Sequence, residues 1–262
     1  MLDKMKYGPW AVIAGGSEAV GAQFAHQIAA AGINVFLIAR KEGPLEETAE
    51  AVRSLGVEVR TLSVDLVDED ALSKIAEATT NIEVGLLVVN AGANTYGHEF
   101  VTGDLAAFKK VLTLNIDRKL ELTHLFGGPM SERRRGGIIL LGSVTGFVGC
   151  THMSVYSGAK AFSRIFTEGL WAEMREYDVE VLALTAGVTR TPAMERAGLE
   201  FDSPGLRVSD PGDVAREGLD HIADGPVWIV EEHLEKALER SRWPRDEQVL
   251  SEAAEVAKMM GR

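Results

Sequence analysis

Short apolar runs punctuate this chain, and between them apolar residues recur at helical spacing. The runs lie at about 10–14, 34–39, 57–62, 84–90, 137–142, 179–185 and 226–230, and each reads as a strand buried on both faces. Helical patterns fall near 20–31, 44–55, 68–78, 104–127, 154–177 and 210–223. Unbroken alternation of this kind predicts an α/β fold, a doubly wound parallel sheet of about seven strands with helices on both faces. No repeat or linker divides it. Residues 1–230 are expected to form a single domain, and 231–262 a charged helical extension of it.

In such a sheet, right-handed crossovers gather the carboxyl ends of the strands around one crevice. The first run, Trp10-Ala11-Val12-Ile13-Ala14, passes into Gly15-Gly16-Ser17-Glu18-Ala19-Val20-Gly21 and then into a helical pattern. Strand, glycine-rich turn and helix N-terminus make a site for a pyrophosphate, because backbone N–H groups and the helix dipole both favour an anion. The fourth run ends in Asn90-Ala91-Gly92, Asn115 follows on the next helical segment, and the fifth run closes on Gly142-Ser143. Tyr156 and Lys160 stand four apart, one turn apart on one helix face. A free phenol titrates near pH 10. An ammonium beside it favours the phenolate, so the pair is expected to act as a tuned acid/base.

Gly15-x-x-x-Ala19-x-Gly21, Asn90-Ala91-Gly92, Asn115, Ser143 and Tyr156-x-x-x-Lys160 together resemble the short-chain dehydrogenase/reductase family, in order, over roughly residues 8–230. The resemblance implies a Rossmann-type fold, a nicotinamide cofactor and interconversion of a carbonyl and an alcohol. It implies that Asn115, Ser143, Tyr156 and Lys160 are catalytic. Ser143 would hold the substrate oxygen and Tyr156 would exchange its proton. Lys160 would lower the tyrosine pKa and bind the nicotinamide ribose, and Asn115 would hold a water linking Lys160 to solvent. The cofactor set it implies is Gly15, Ser17, Val20, Gly21, Arg40, Lys41, Asp65, Leu66, Asn90, Ala91, Gly92, Tyr156, Lys160, Gly187, Val188, Thr189 and Thr191. Asp65 would contact adenine, or cap the helix that follows, or both. Thr191, just before Pro192, suits helix capping as well as the nicotinamide carboxamide. Three positions depart from the family pattern: Ala14, where Thr is frequent; Ala19, for the middle glycine; and Ala186, before Gly187, where Pro is usual. Small side chains are expected to leave cofactor binding intact.

The end of the second run bears on which cofactor is used. An acidic residue there would accept from an NAD ribose and repel a 2′-phosphate. Here Ala39 is followed by Arg40 and Lys41. A guanidinium can hold a phosphate through two bonds, so NADP is expected, with NAD tolerated if Arg40 only covers the adenine.

Composition narrows the alternatives. A net charge of −12 over 262 residues argues against nucleic acid, and Arg133-Arg134-Arg135 is expected to mark a solvated helix end. No apolar stretch approaches the roughly 20 residues of a membrane span, and Met1 to Gly8 lacks a signal-peptide core. With Cys150 as the only cysteine, a reducing cytoplasm is expected and Cys150 reads as a packing residue. His98, His124, His152 and His221 lack ligand spacing, so no metal is expected.

Substrate identity is less legible. The resemblance implies a lid at about 188–210, here carrying Met194, Leu199, Phe201 and Leu206, with Phe147, Val148, Met153 and Val155 opposite. That lining suits a largely apolar small molecule: a ketone, steroid-like compound or ketoacyl group. An epimerase or dehydratase that recycles its cofactor, and a non-enzymatic cofactor-binding regulator, are the competing readings. The family resemblance further implies a homodimer or homotetramer built on the long helices near 104–127 and 154–177. On the second, Phe162, Ile165, Phe166, Leu170 and Trp171 present more apolar surface than one sheet face needs.

Overall fold

The computed structural model describes residues 2–196, 199–202 and 206–259. The strands are Trp10–Ala14 (β1), Asn34–Ala39 (β2), Val59–Ser63 (β3), Val84–Val89 (β4), Gly136–Ser143 (β5), Val179–Ala186 (β6) and Val227–Ile229 (β7). They pair in parallel in the order β3-β2-β1-β4-β5-β6-β7, so the expected doubly wound sheet forms. Each continuous apolar run supplies two cores at once, because successive side chains leave opposite faces. Ala11, Ile13, Val35, Leu37, Leu86 and Val88 pack on one side. Trp10, Val12, Phe36, Ile38, Leu87 and Val89 pack on the other.

The helices are Lys4–Tyr7 (α1), Ala19–Ala30 (α2), Glu42–Arg53 (α3), Ala71–Thr79 (α4), Leu105–Leu112 (α5), Arg118–Glu132 (α6), Ser154–Met174 (α7), Pro192–Arg196 (α8), Pro211–Asp220 (α9), Leu234–Arg240 (α10) and Arg245–Met259 (α11). Three features differ from the sequence pattern. The short α1, capped by Asp3 through the Met5 N–H at 2.8 Å, carries no periodicity long enough to read. The helix expected near 104–127 is two helices joined by a π-turn at Thr113–Asp117. The arginine triplet is not merely solvated: Arg133 donates to the Val84 carbonyl at the start of β4, Arg134 pairs with Asp178 at 2.9 Å, and Arg135 pairs with Glu83.

Beyond β7, a 3₁₀ turn (Glu231–His233) leads into α10 and α11. These two helices are fastened by Arg240, whose guanidinium meets the buried Glu252 carboxylate at 2.5 and 2.7 Å. Arg245 reaches back from α11 and donates to the Phe147 carbonyl at 2.7 Å. The C-terminal segment is thereby tied to the loop that follows β5. Residues 260–262, part of the expected extension, lie outside the described residues.

Ala19 has a φ of 48°, the left-handed region in which glycine is at home. The departure from the glycine pattern therefore falls on the backbone more than on packing. A left-handed alanine costs about 1–2 kcal/mol, offset in part by the extra unfolded-state freedom of glycine, about 0.4–1 kcal/mol. Ala19→Gly is expected to stabilise the protein by about 0.5–1 kcal/mol in a urea titration. A midpoint at or below wild type would show that the turn carries no such strain.

Candidate active site

The crevice opens where β1 and β4 diverge. Gly15 has a φ of 86°, and a methyl on it would stand 2.8 Å from the Ala91 nitrogen. A methyl on Gly21 would overlap the Gly15 carbonyl oxygen, so α2 and the turn touch backbone to backbone. Asn90 closes this contact by donating from Nδ2 to the Gly15 carbonyl at 2.7 Å. Glu18, at the N-cap of α2, makes no capping bond with its side chain. A glycine turn stripped of side chains, with helix N–H groups behind it, fits a dinucleotide pyrophosphate. Ser17 and Val20 belong to the same turn and helix start, and the Ser17 carbonyl accepts from Thr48 at 2.9 Å.

Arg40 and Lys41 follow β2 and are exposed. The Arg40 guanidinium stands 4.0 Å from the Asp65 carboxylate. Asp65 does not cap α4, which begins later, at Ala71. Instead its Oδ1 accepts from the Val67 N–H at 3.1 Å in a local turn. Leu66 is buried beside it, and its carbonyl accepts from the nearly buried Arg118. Arg118 also donates to the Asp68 carbonyl at 2.8 Å, so α6 holds this whole loop.

The catalytic candidates converge at the end of β5. Ser143 accepts from both the backbone N–H (3.2 Å) and the hydroxyl (2.9 Å) of Thr145. With both contacts donated to it, the Ser143 hydroxyl proton is left to point into the crevice. The Tyr156 phenol stands near the Ser143 side chain, which favours its ionised form. Lys160 is buried one turn further along α7, its Nζ 5.3 Å from the centre of the Tyr156 ring. Burial pushes the phenol up to about 12, against the opposing pull of Ser143. Burial also pulls Lys160 down to about 8. The phenol is thus raised where an ammonium neighbour alone would lower it, because desolvation wins.

Asn115 is fully buried inside the π-turn, a distortion frequent at functional sites. Its Nδ2 donates to the carbonyls of Ala93 (3.0 Å) and Val111 (2.9 Å), while its Oδ1 has no partner among the described residues. A methyl on Gly92 would lie 2.8 Å from that Oδ1 and 3.0 Å from Lys160 Nζ. Gly92 therefore leaves room for the two groups to approach one another.

After β6, Val188 and Arg190 bond to Ser209, so the segment expected as a lid is joined at its two ends by one short bridge. What backs this bridge is not legible in the sequence. His233, buried at the start of the C-terminal segment, meets the Ser209 hydroxyl at 2.9 Å. Its imidazole ring fills the space that a side chain on Gly187 would need. Thr189 is buried, and Thr191 caps α8 by accepting from the Met194 N–H at 3.2 Å. Phe201 is buried under the Arg190 guanidinium, while Met194 is exposed. Residues 197–198 and 203–205 of the expected lid lie outside the described residues. Opposite, Val148 is buried and Phe147, Met153 and Val155 are half-buried. Cys150 is buried, and desolvation raises its thiol, as befits a packing residue. Among the described residues no His, Cys, Asp and Glu cluster could hold a metal, and no helix is long and apolar enough to cross a membrane.

Sheet order, glycine turn and Ser-Tyr-Lys grouping define a nicotinamide-dependent oxidoreductase scaffold. A family model described as short chain dehydrogenase matches residues 9–200, and the chain belongs to the short-chain dehydrogenase/reductase family. A 7β-hydroxysteroid dehydrogenase of Clostridium sardiniense is 29% identical over 244 residues, 92% of this chain and 93% of the relative. A very-long-chain 3-oxoacyl-CoA reductase of Laccaria bicolor is 34% identical over 180 residues, 67% of this chain and 53% of the relative. A solved 7β-hydroxysteroid dehydrogenase shares the fold with a TM-score of 0.88 and 23% identity, all of both chains being covered. A short-chain dehydrogenase from Sphingobium yanoikuyae in complex with NADPH superposes with a TM-score of 0.79 and 27% identity, over 88% of this chain and 91% of that one. A 3-oxoacyl-[acyl-carrier protein] reductase from Brucella melitensis with bound NAD shares the fold with a TM-score of 0.72 and 22% identity, over 86% and 89%. The protein is an NAD(P)-dependent enzyme acting on CH–OH and C=O groups.

Proposed function

We propose that the enzyme uses NADP to interconvert a carbonyl and an alcohol on a largely apolar substrate, with Tyr156 as its acid and base. The grouping of Ser143, Tyr156 and the buried Lys160, whose Nζ stands 5.3 Å from the centre of the tyrosine ring, carries this reading. A nicotinamide bound in the cradle supplies a hydride to the carbonyl carbon or takes one from the alcohol. The cradle residues are Gly15, Ser17, Val20 and Gly21 for the pyrophosphate, and Asn90, Ala91 and Gly92 beside it. Gly187, Val188, Thr189 and Thr191 border the nicotinamide end.

In reduction, Ser143 donates to the substrate oxygen as charge develops on it, and Tyr156 then gives up its proton. A phenol raised by burial is fully protonated at neutral pH, which suits the acid role. Once the phenolate forms, the Lys160 ammonium stabilises it from below and takes the ribose hydroxyls on its other side. Asn115 Oδ1, without a partner among the described residues, is placed to accept from a water that returns the proton. Apolar groups at Phe147, Met153, Val155, Met194, Leu199 and Leu206 support an apolar substrate, in keeping with the hydroxysteroid and 3-oxoacyl names of the relatives. Asp65 and Leu66 flank the adenine end. There Arg40, exposed and only 4.0 Å from Asp65, supports NADP as the phosphate partner, with Lys41 beside it.

Assembly through α5–α6 and α7 belongs to the same reading. Of the large apolar residues expected to form this face of α7, Phe166, Leu170 and Trp171 pack on the parent core, while Phe162 and Ile165 are exposed. Leu105 and Leu112 of α5 are exposed as well. Two copies pairing through these faces would hold the Tyr156 helix rigid.

Tyr156→Phe is expected to lower turnover at least about 100-fold while NADPH affinity, read by fluorescence titration, stays near wild type. A variant that keeps substantial turnover excludes Tyr156 as the acid. Arg40→Asp is expected to shift relative affinity from NADP toward NAD by about tenfold or more; unchanged relative affinities would show that Arg40 does not read the phosphate. Light scattering at micromolar concentration is expected to give a dimer or tetramer, and a mass of one 28.3 kDa chain would end the assembly proposal.

A further inference from the structure

We propose that Lys119 is a positioning residue for Lys160: it takes the Leu141 carbonyl for itself and so leaves the Lys160 amine turned toward Gly92, Asn115 and the cofactor cradle. The inference rests on the reading of Lys160 as the ribose partner.

Lys119 lies one turn beyond Asn115 on α6 and is 1% exposed, one of the largest fully buried side chains described. Burying an amine is costly unless its hydrogens are well placed. Here Nζ donates to the Leu141 carbonyl at 2.6 Å and to the Ser163 hydroxyl at 3.0 Å. The bonds join α6 to β5 and α7, the two elements that carry Ser143, Tyr156 and Lys160. Among the described residues no carboxylate is paired with it. Burial, and then the charge of Lys160, hold Lys119 well below the ordinary lysine range.

Lys160 Nζ reaches the same carbonyl, but only at 3.4 Å, the outer limit of a hydrogen bond. One oxygen is thus shared between a short donor that does no chemistry and a long one that does. If the short donor is removed, Lys160 is the group within reach to replace it. An amine drawn fully onto Leu141 retreats from the cradle, because Leu141 lies in β5 beneath the site.

The test uses the whole protein and two titrants, NADPH and adenosine 2′,5′-bisphosphate, the half of NADP that lacks the nicotinamide ribose. Lys119→Met keeps the length of the stem and loses the donor. It is expected to weaken NADPH about fivefold or more, the worth of one ordinary hydrogen bond, and to leave the bisphosphate within about twofold. Equal losses for both titrants would mark a structural role, and no loss would mark an idle side chain; either overturns the inference. If Lys119→Met fails to fold, Ser163→Ala, which removes the second anchor of the same amine, is expected to move NADPH alone in the same direction. Lys160→Met is measured in parallel. If it leaves NADPH affinity unchanged, the ribose role of Lys160 falls and this inference with it. If Lys160→Met weakens NADPH and Lys119→Met does not, only the role of Lys119 falls.

Discussion

The carboxyl ends of β1, β2 and β4 meet at one peptide, Gly15. Its carbonyl accepts from the Asn90 side chain at 2.7 Å, and its N–H reaches across to the Ile38 carbonyl at 2.8 Å. Asn90 and Ala91 reach back from the end of β4, donating their N–H groups to the Ala14 carbonyl at 3.0 and 2.8 Å. Three strand ends are therefore held in register by main-chain bonds at the point where their order reverses. Gly21 presses α2 onto the same peptide, so the width of the crevice is set by backbone contacts that no side chain can adjust. The cofactor end of the site inherits its rigidity from this junction.

The chemical end depends on a second set of ties, and these run through α6. Arg118 grips the Leu66 and Asp68 carbonyls in the loop after β3, while its neighbour Lys119 grips the Leu141 carbonyl in β5. The π-turn just before them places Asn115 between the two. From the other direction, Arg245 and His233 bring the C-terminal segment against Phe147 and Ser209, at the roots of the two proposed substrate walls. The tail beyond β7 thus belongs to the site's framework.

Most of the fold is legible in the sequence because it rests on local pattern. Continuous apolar runs mark the seven strands to within about two residues, and helical spacing marks most of the helices. The residues at the strand ends are legible through family resemblance and ordered spacing. What is not legible depends on tertiary partners. Lys119 and His233 are polar residues whose burial follows from a carbonyl and a hydroxyl distant in sequence. A basic residue one turn after Asn115, on the same inward face, is the available signal for Lys119. The arginine triplet reads as a solvated end because nothing nearby in sequence reveals the Val84 carbonyl. The direction of the Tyr156 shift is hidden for a related reason: spacing places Lys160 on the right face but does not reveal the desolvation that wins.

Two buried lysines, neither paired with a carboxylate among the described residues, make the site a proton-linked load on folding. In the unfolded chain Lys160 holds its proton up to the ordinary value of 10.5, whereas the folded protein releases it near 8. Below that pH the folded state bears the whole cost of a desolvated cation. Between about 8 and 10.5 the unfolded state binds more protons, so stability climbs with pH. Burial likewise holds Lys119 well below the ordinary lysine range. A fold held by carboxylate pairs loses stability as acid protonates them. This one also bears a charge burden at its active centre, and that burden lightens as the medium turns alkaline.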